Sequence, residues 1–305
     1  MIVVAGEALV DILIDATTKV QAVLGGGPFN AARTIGRLGH PCRFIGRLSS
    51  DRFGAALASS LAADSIEIAV GDLAGEPTTL ASAELDDHGA AAYRFYVEGT
   101  SAPKLSCEHL RRTSLDDADA VHVGSLALII EPMASALLTW LRNAPVDVLV
   151  MIDLNCRPQA VTDHHRYRTN LYNFVACAHV VKASREDISF LYPHDTAESG
   201  AARLLASGAR VVLLTDADRP TRIITSRGSR TVSVPLVTVV DTVGAGDSFG
   251  AAFLTWWVEN GGGLDGLEEL DDLERAVAVG NEVSTITCTR SGANPPRRSE
   301  LAAWS

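Results

Sequence analysis

The chain has 305 residues, with 26 Lys and Arg against 37 Asp and Glu, a net charge of -11, 47% hydrophobic residues and 21% charged. That length can bury a sizeable core and that balance excludes a disordered chain, while the acid excess without any Lys/Arg cluster excludes a nucleic-acid surface. No uncharged apolar run approaches the ~20 residues that span a bilayer, and Cys42, Cys107, Cys156, Cys177 and Cys288 include no C-x-x-C pair, so the expectation is a cytoplasmic protein without membrane span, zinc site or disulfide framework.

"MIVVAG" opens the chain as a buried strand; Glu7 and Asp11 interrupt its apolar continuation, which therefore does not read as a secretory leader. Residues 25–39, "GGGPFNAARTIGRLG", put three glycines and an Asn directly ahead of a helix. Asn30 there either caps the helix or offers donors and acceptors to a polyol. "DRFGAALASSLAADS" is the next helix. From about Ile66 to Gly99 the helical period is lost: "TTLASAEL", the turn "DDHG" and "AAYRFYV" read as a β-hairpin, either an active-site lid or an edge decoration.

Alternation then resumes. "DAVHVGS", "VLVMIDLN", "HVVKAS" and "RVVLLTD" read as buried strands, and "EPMASALLTWLRNA" and "TAESGAARLLASG" as helices between them. This is the pattern of βαβ units, predicting one α/β domain over 1–305 with a doubly wound, mostly parallel sheet flanked by helices. "TVSVPLVTVV" is strand-like and "SFGAAFLTWWV" helix-like, so "DTVGAGDSFGAAF" (241–253) puts Gly244, Ala245 and Gly246 at a strand-to-helix turn. Unpaired amides at a helix start favour an anion, and glycines let it approach. Asp247 in the first turn is either a helix-capping acid or a base beside a transferring phosphoryl group.

Together, "GGGPFNAARTIGRLG" and "DTVGAGDSFGAAF" resemble the two signatures of the ribokinase family of sugar kinases, also called the phosphofructokinase B or PfkB family. "GEALVD", "DLNCRP", "VVKAS" and "CTRSGA" follow in the family's order, so the resemblance covers essentially the whole chain. It implies a ribokinase-like fold with a small β lid, through which a homodimer could form. It also implies ATP and magnesium, with potassium beside the anion hole. Carried over by position, Asp247 is the catalytic base and Gly244, Ala245 and Gly246 form the anion hole. Asp11, at the end of the first strand, grips sugar hydroxyls, and Gly26, Gly27 and Asn30 form the substrate-contacting turn. Asn155 and Arg157 of "DLNCRP" and Ser125 of "HVGSLAL", with Gly124, line the sugar pocket, and Tyr93, Phe95 or Tyr96 closes over it, with Tyr96 expected.

On the nucleotide side the resemblance implies that Ser184 and Asp187, in place of the Asn and Glu of an N-x-x-E motif, organise magnesium and phosphate water. Lys182 either lies near the phosphates or simply ends its strand. Thr215 and Asp216 begin a nucleotide loop in which Ala217 and Pro220 replace the glycines of relatives, and Asn281, on the penultimate helix, lines the adenine pocket. The monovalent-cation positions match Asp241, Val243, Thr287, Arg290 and Gly292, mostly through backbone oxygens. The motifs resemble fructokinases and 2-keto-3-deoxygluconate kinases more than ribokinases or nucleoside kinases, so the expected reaction is phosphorylation of a ketohexose-like sugar. The sugar-acid kinase is the alternative, and a non-catalytic sugar-binding protein a more distant one. Arg157 separates the first two, since a guanidinium either pairs with a sugar-acid carboxylate or holds an internal acid such as Asp153; the internal role is expected.

Overall fold

The computed structural model describes residues 1–15, 17–85, 91–302 and 304. The first apolar run forms β1 (Ile2–Ala5), after which the chain leaves that layer to make an antiparallel pair, β2 (Leu9–Ile14) and β3 (Val20–Gly25). Helix α1 (Gly27–Arg37) starts with Pro28 in its first turn, where a missing N–H costs nothing. Next come β4 (Cys42–Ile45), α2 (Arg52–Ala63) and the two-residue β5 (Glu67–Ile68); Asp51 caps α2 by accepting the Gly54 N–H at 2.8 Å. β6 (Leu80–Leu85) and β7 (Ala91–Tyr96) pair antiparallel, and a short α3 (Cys107–Arg111) follows.

The regular alternation continues through β8 (Ala120–Gly124), α4 (Met133–Leu141), β9 (Leu149–Asp153), α5 (His164–Val175) and β10 (Val180–Ser184). Then come α6 (Arg185–Leu191), α7 (Ala197–Ala206) and β11 (Val211–Asp216). β12 (Arg219–Thr225), β13 (Gly228–Val232), α8 (Ala245–Glu259) and α9 (Leu270–Cys288) complete the path.

Among the described residues the strands form a nine-stranded sheet, β13-β12-β11-β10-β9-β8-β1-β4-β5, and a separate four-stranded sheet, β3-β2-β6-β7. From β11 to β5 the large sheet is parallel; β12 and β13 add an antiparallel edge. The continuous apolar strands make sense because both faces are covered. Val3, Val121, Val150 and Val212 face one core with Leu137 and Leu171 of α4 and α5, while Val4, Met151 and Leu213 face the other with Ile35 of α1, Phe253 of α8 and Val277 of α9. The chain runs outward from β1 to β4 and β5, then returns to β8 and runs the other way, so the order reverses between β1 and β8. Ligands of open α/β sheets bind at the carboxyl ends of the strands beside that reversal.

Three expectations need correction. The hairpin is only part of the small sheet: β5 belongs to the large sheet, and β2 and β3 supply half of the small one, whose shape fits a lid. The turn "DDHG" lies outside the described residues. Asp11 lies inside β2 rather than at the end of the first strand. The strand before the glycine turn stops at Val232, so the turn is loop-to-helix. Pro235 lacks a ladder donor, and the Val240 and Asp241 amides donate to the Cys288 carbonyl instead of to a strand neighbour.

Candidate active site

A cavity of about 580 Å³ opens at the reversal point. Its floor carries Glu7, Ser125 and Asn155, at or just beyond the carboxyl ends of β1, β8 and β9, and its roof carries Asp11, Leu13, Val23, Tyr93 and Phe95 from the small sheet. Gly26, Gly27 and Asn30 at the start of α1 and Gly244, Gly246 and Asp247 at the start of α8 form one wall. Two helix N-termini thus meet in one concave space.

Asp247 is 8% exposed and held from two sides: its Oδ2 accepts the Asn30 Nδ2–H at 2.9 Å and its Oδ1 the Asn155 Nδ2–H at 3.1 Å. Burial raises its proton affinity, opposed by the Asn30 hydrogen bond and then by the charges of Lys182 and Arg157. A desolvated carboxylate with raised basicity and fixed orientation has the properties of a general base. The carboxamide oxygen of Asn30, turned away from Asp247, is buried without a partner among the described residues, which leaves an acceptor for a ligand hydroxyl.

The two glycines of the turn have different physical causes. Gly244 has φ 77, the left-handed conformation, and a Cβ there would come within 2.5 Å of the Ala293 Cβ. At Gly246 a Cβ would lie 2.7 Å from the Lys182 ammonium, which presses against the back of the turn. Both glycines line the cavity, whereas the Ala245 N–H donates to the Thr242 carbonyl at 3.2 Å. Gly244 and Gly246 are thus the turn residues that border the cavity. Lys182 does not reach the cavity either: it is buried, with Nζ 3.1 Å from both Asp153 carboxylate oxygens. Burial pushes Asp153 up to about 7 against the pull of that ammonium.

Lys182 being the partner of Asp153, Arg157 does not hold that acid as expected; its guanidinium lines the cavity and donates to the Cys156 carbonyl at 3.1 Å. Burial raises Asp11 to about 6, Arg157 opposing and Asp247 reinforcing the shift. On β7 the side-chain alternation decides the lid aromatic: Tyr93 and Phe95 stack at 6.3 Å on the cavity face, so Tyr96, 55% exposed, points the other way. Gly124 is also absent from the lining, its Cα facing the Asp153 carbonyl.

The nucleotide-side positions are more dispersed. Ser184 and Asp187 form the capping box of α6, Ser184 Oγ accepting the Asp187 N–H at 3.1 Å and Asp187 Oδ2 accepting the Ser184 N–H at 2.7 Å, while Asp187 Oδ1 takes the Cys156 N–H at 2.6 Å. Asp187 still borders the cavity, and the exposed Glu186 beside it does so with a longer reach. Thr215 and Asp216 end β11 away from the cavity; Asp216 pairs with Arg185 at 2.8 Å, and Ala217, at φ 49, takes the left-handed turn position expected of a glycine. Pro220 is the second residue of β12, which lies between β11 and the edge strand β13, so the loop is a tight β-turn. Asn281, on the last α-helix, is buried with its amide engaged by Thr221 Oγ1 and the Ser233 carbonyl, and neither partner borders the cavity.

Asp241 fastens the turn: Oδ1 accepts the Val243 N–H at 3.0 Å and Oδ2 the Gly292 N–H at 2.8 Å. The Thr287 hydroxyl donates to the Val283 carbonyl, and the Arg290 guanidinium pairs with Glu300, so of the five cation positions only Asp241 turns its side chain to the turn. No group of three or more His, Cys, Asp or Glu able to hold a metal ion occurs among the described residues. No helix among them is long and apolar enough to cross a membrane.

Glu7 and Glu186 are missing from the residues singled out by sequence. The signal for Glu7 was present: a lone carboxylate inside "MIVVAGEALV" has to be buried, and buried carboxylates carry function or a specific hydrogen-bond set.

Residues 1–300 match the family profile described as pfkB family carbohydrate kinase. The chain is 32% identical over 258 residues to a fructokinase of Rhizobium leguminosarum bv. trifolii, covering 83% of this chain and 78% of that one. It is 31% identical over 314 residues to the probable fructokinase-4 of Arabidopsis thaliana, covering 99% and 95%. The crystal structure of a fructokinase from Xylella fastidiosa with bound ATP superposes with a TM-score of 0.90 at 27% identity, covering 98% of this chain and 96% of that one.

Proposed function

Because the chain belongs to the pfkB family of carbohydrate kinases, we propose that it transfers the γ-phosphoryl group of ATP to a hydroxyl of fructose, with Asp247 as the general base. The observation that carries this reading is the buried Asp247 carboxylate, fixed by Asn30 and Asn155 at the wall of a cavity that also holds Asp11 and Arg157. In the reaction Asp247 takes the proton of the sugar hydroxyl as its oxygen attacks the γ-phosphorus in line and the bond to the ADP oxygen breaks. Charge on the transferring group faces Gly244, Gly246 and the start of α8. The Asn30 carboxamide oxygen and Asp11 accept sugar hydroxyls, and Tyr93 and Phe95 cover the sugar, excluding water that would otherwise receive the phosphoryl group.

Magnesium, carried by the nucleotide, would supply charge neutralisation at its phosphates. Glu186 and Asp187 are the carboxylates placed to meet its water shell. The exposed apolar row Leu236, Val237, Val239 and Val240, which leads into the glycine turn, suits the face of an adenine. A potassium ion would sit beside Asp241, whose carboxylate and the backbone carbonyls of the turn would hold it. The free edges of the small sheet, β3 and β7, are where a second copy would pair, and five free cysteines suit a cytoplasmic setting.

Charge favours a neutral sugar. Asp11, Glu186, Asp187, Asp241 and Asp247 line the cavity against the single guanidinium of Arg157, so a sugar carboxylate enters an acidic field. Arg157 itself is the one feature that favours 2-keto-3-deoxygluconate. Turnover of ATP with fructose, ribose, 2-keto-3-deoxygluconate and adenosine decides: the highest kcat/KM is expected for fructose, and a sugar acid ranked first would overturn the assignment.

A further inference from the structure

Glu7 has no part in the chemistry above, yet it is 1% exposed and sits at the cavity floor. It lies in the three-residue link between β1 of the large sheet and β2 of the lid sheet. Its Oε1 accepts the Gly27 N–H at 3.3 Å, and its Oε2 accepts the Ala127 N–H at 3.0 Å. Gly27 opens α1, the helix that carries Asn30; Ala127 belongs to the turn after β8 that carries Ser125. One carboxylate therefore joins two walls of the cavity that are about a hundred residues apart in sequence.

The walls have no slack where they meet. A Cβ on Gly27 would lie 2.9 Å from the Ser125 Cβ, 3.3 Å from Asn155 Nδ2 and 3.3 Å from Asp247 Oδ1. Ser125 holds φ 60, a left-handed conformation costly for a residue with a side chain, so something must hold that turn in place. Displacement of the Gly27 backbone would pass directly to the residues that orient the base.

We propose that Glu7 is a positioning residue that sets the spacing of the two sugar-binding walls, and through Gly27 the placement of Asn30 and Asp247, without itself touching the phosphoryl group. The proposal rests on the sugar-kinase reading of this cavity. Glu7 bonds to none of the residues proposed to meet the nucleotide, so nucleotide affinity should be insensitive to it.

The test is Glu7→Met, which keeps the length and removes both acceptors. Misplacing an orienting wall by a fraction of an ångström is expected to raise the sugar KM ~10- to 100-fold, with the ATP KM within about twofold of wild type. Glu7→Gln, which keeps one acceptor oxygen, should recover part of the loss. A sugar KM unchanged in folded Glu7→Met, or sugar and ATP constants rising together, overturns the proposal. Should Glu7→Met not fold, Glu7→Gln is measured at pH 9, where wild-type Glu7, pushed up to about 8 by burial, is ionised. Asp247 on α8 is the charged group that acts on it, Asp11 on β2 and Arg157 beyond β9 lining the same cavity, and all three are common to both proteins. An unchanged sugar KM there also overturns it. Amide exchange at Gly27 and Ala127 reads the same tether without any sugar: faster exchange in the variants supports it and unchanged exchange overturns it, whichever sugar proves to be the substrate.

Discussion

Replacing Asp247 with Asn separates what the carboxylate does for the reaction from what it does for the fold. The amide is nearly isosteric, cannot take a proton, and keeps one oxygen to accept from Asn30 or Asn155, which now donate at 2.9 and 3.1 Å. Its NH2 would meet the other donor head-on, but the unpartnered Asn30 carboxamide oxygen offers an acceptor after a flip of that side chain. Removing the general base should lower kcat ~10²- to 10⁴-fold, equivalent to about 2.7 to 5.5 kcal/mol of transition-state stabilisation. The fold should not suffer in parallel. Burial raises the Asp247 pKa, so the ionised carboxylate is less stable in the native protein than in the unfolded chain, and a neutral amide removes that cost. The expected result is an inactive protein whose Tm is unchanged or raised by a few degrees. Coupled detection of ADP at saturating fructose and ATP gives kcat, calorimetric titration gives fructose affinity, and a thermal melt gives Tm. A variant keeping more than about a tenth of wild-type kcat would mean that another group takes the proton; loss of fructose binding together with kcat would mean that Asp247 grips substrate instead.

The lid aromatics give a paired test: Tyr93→Ala should raise the fructose KM ~10-fold through lost burial of an aromatic face, while Tyr96→Ala should change it less than about twofold, and the reverse order would put the wrong face of β7 over the sugar. Replacing potassium by sodium at fixed ionic strength should lower kcat, and Asp241→Asn should erase the difference between the two ions; equal rates in both salts for the wild type would remove the cation site. Between pH 6.5 and 9 thermal stability should fall. Glu7 and Asp153 have folded-state pKa values raised to about 8 and about 7, so the native chain binds more protons than the unfolded one in that window and loses this advantage as pH rises. His122, lowered to about 4 by burial, acts in the opposite direction but only below its unfolded value near 6.5, outside the window. The loss should be on the order of 2 kcal/mol, with Glu7→Gln flattening the profile; a melting temperature that rises over this range would contradict the buried-acid picture.

The alternation of apolar strands and amphipathic helices was legible from the chain because burial on both faces of a parallel sheet demands uninterrupted apolar runs, and Val3 to Val4 or Val150 to Met151 need only alternate to feed two cores. The glycine turn was legible for a similarly local reason: Gly244 adopts a conformation that other residues avoid, and Asp247 follows it at the helix start. What local pattern could not reveal was partnership at long range. Lys182 pairs with Asp153 because two parallel strands set them in register, and that pairing leaves Arg157 to the cavity. Tyr93 rather than Tyr96 faces the cavity because the register of β7 on β6 decides which side of the pleat turns inward. The lid itself is built from β2 and β3 as much as from the hairpin, a sheet order fixed by contacts between segments more than fifty residues apart. Side-chain chemistry is written residue by residue, but its direction depends on strand register and on what lies behind each backbone, and those are set only when the chain packs.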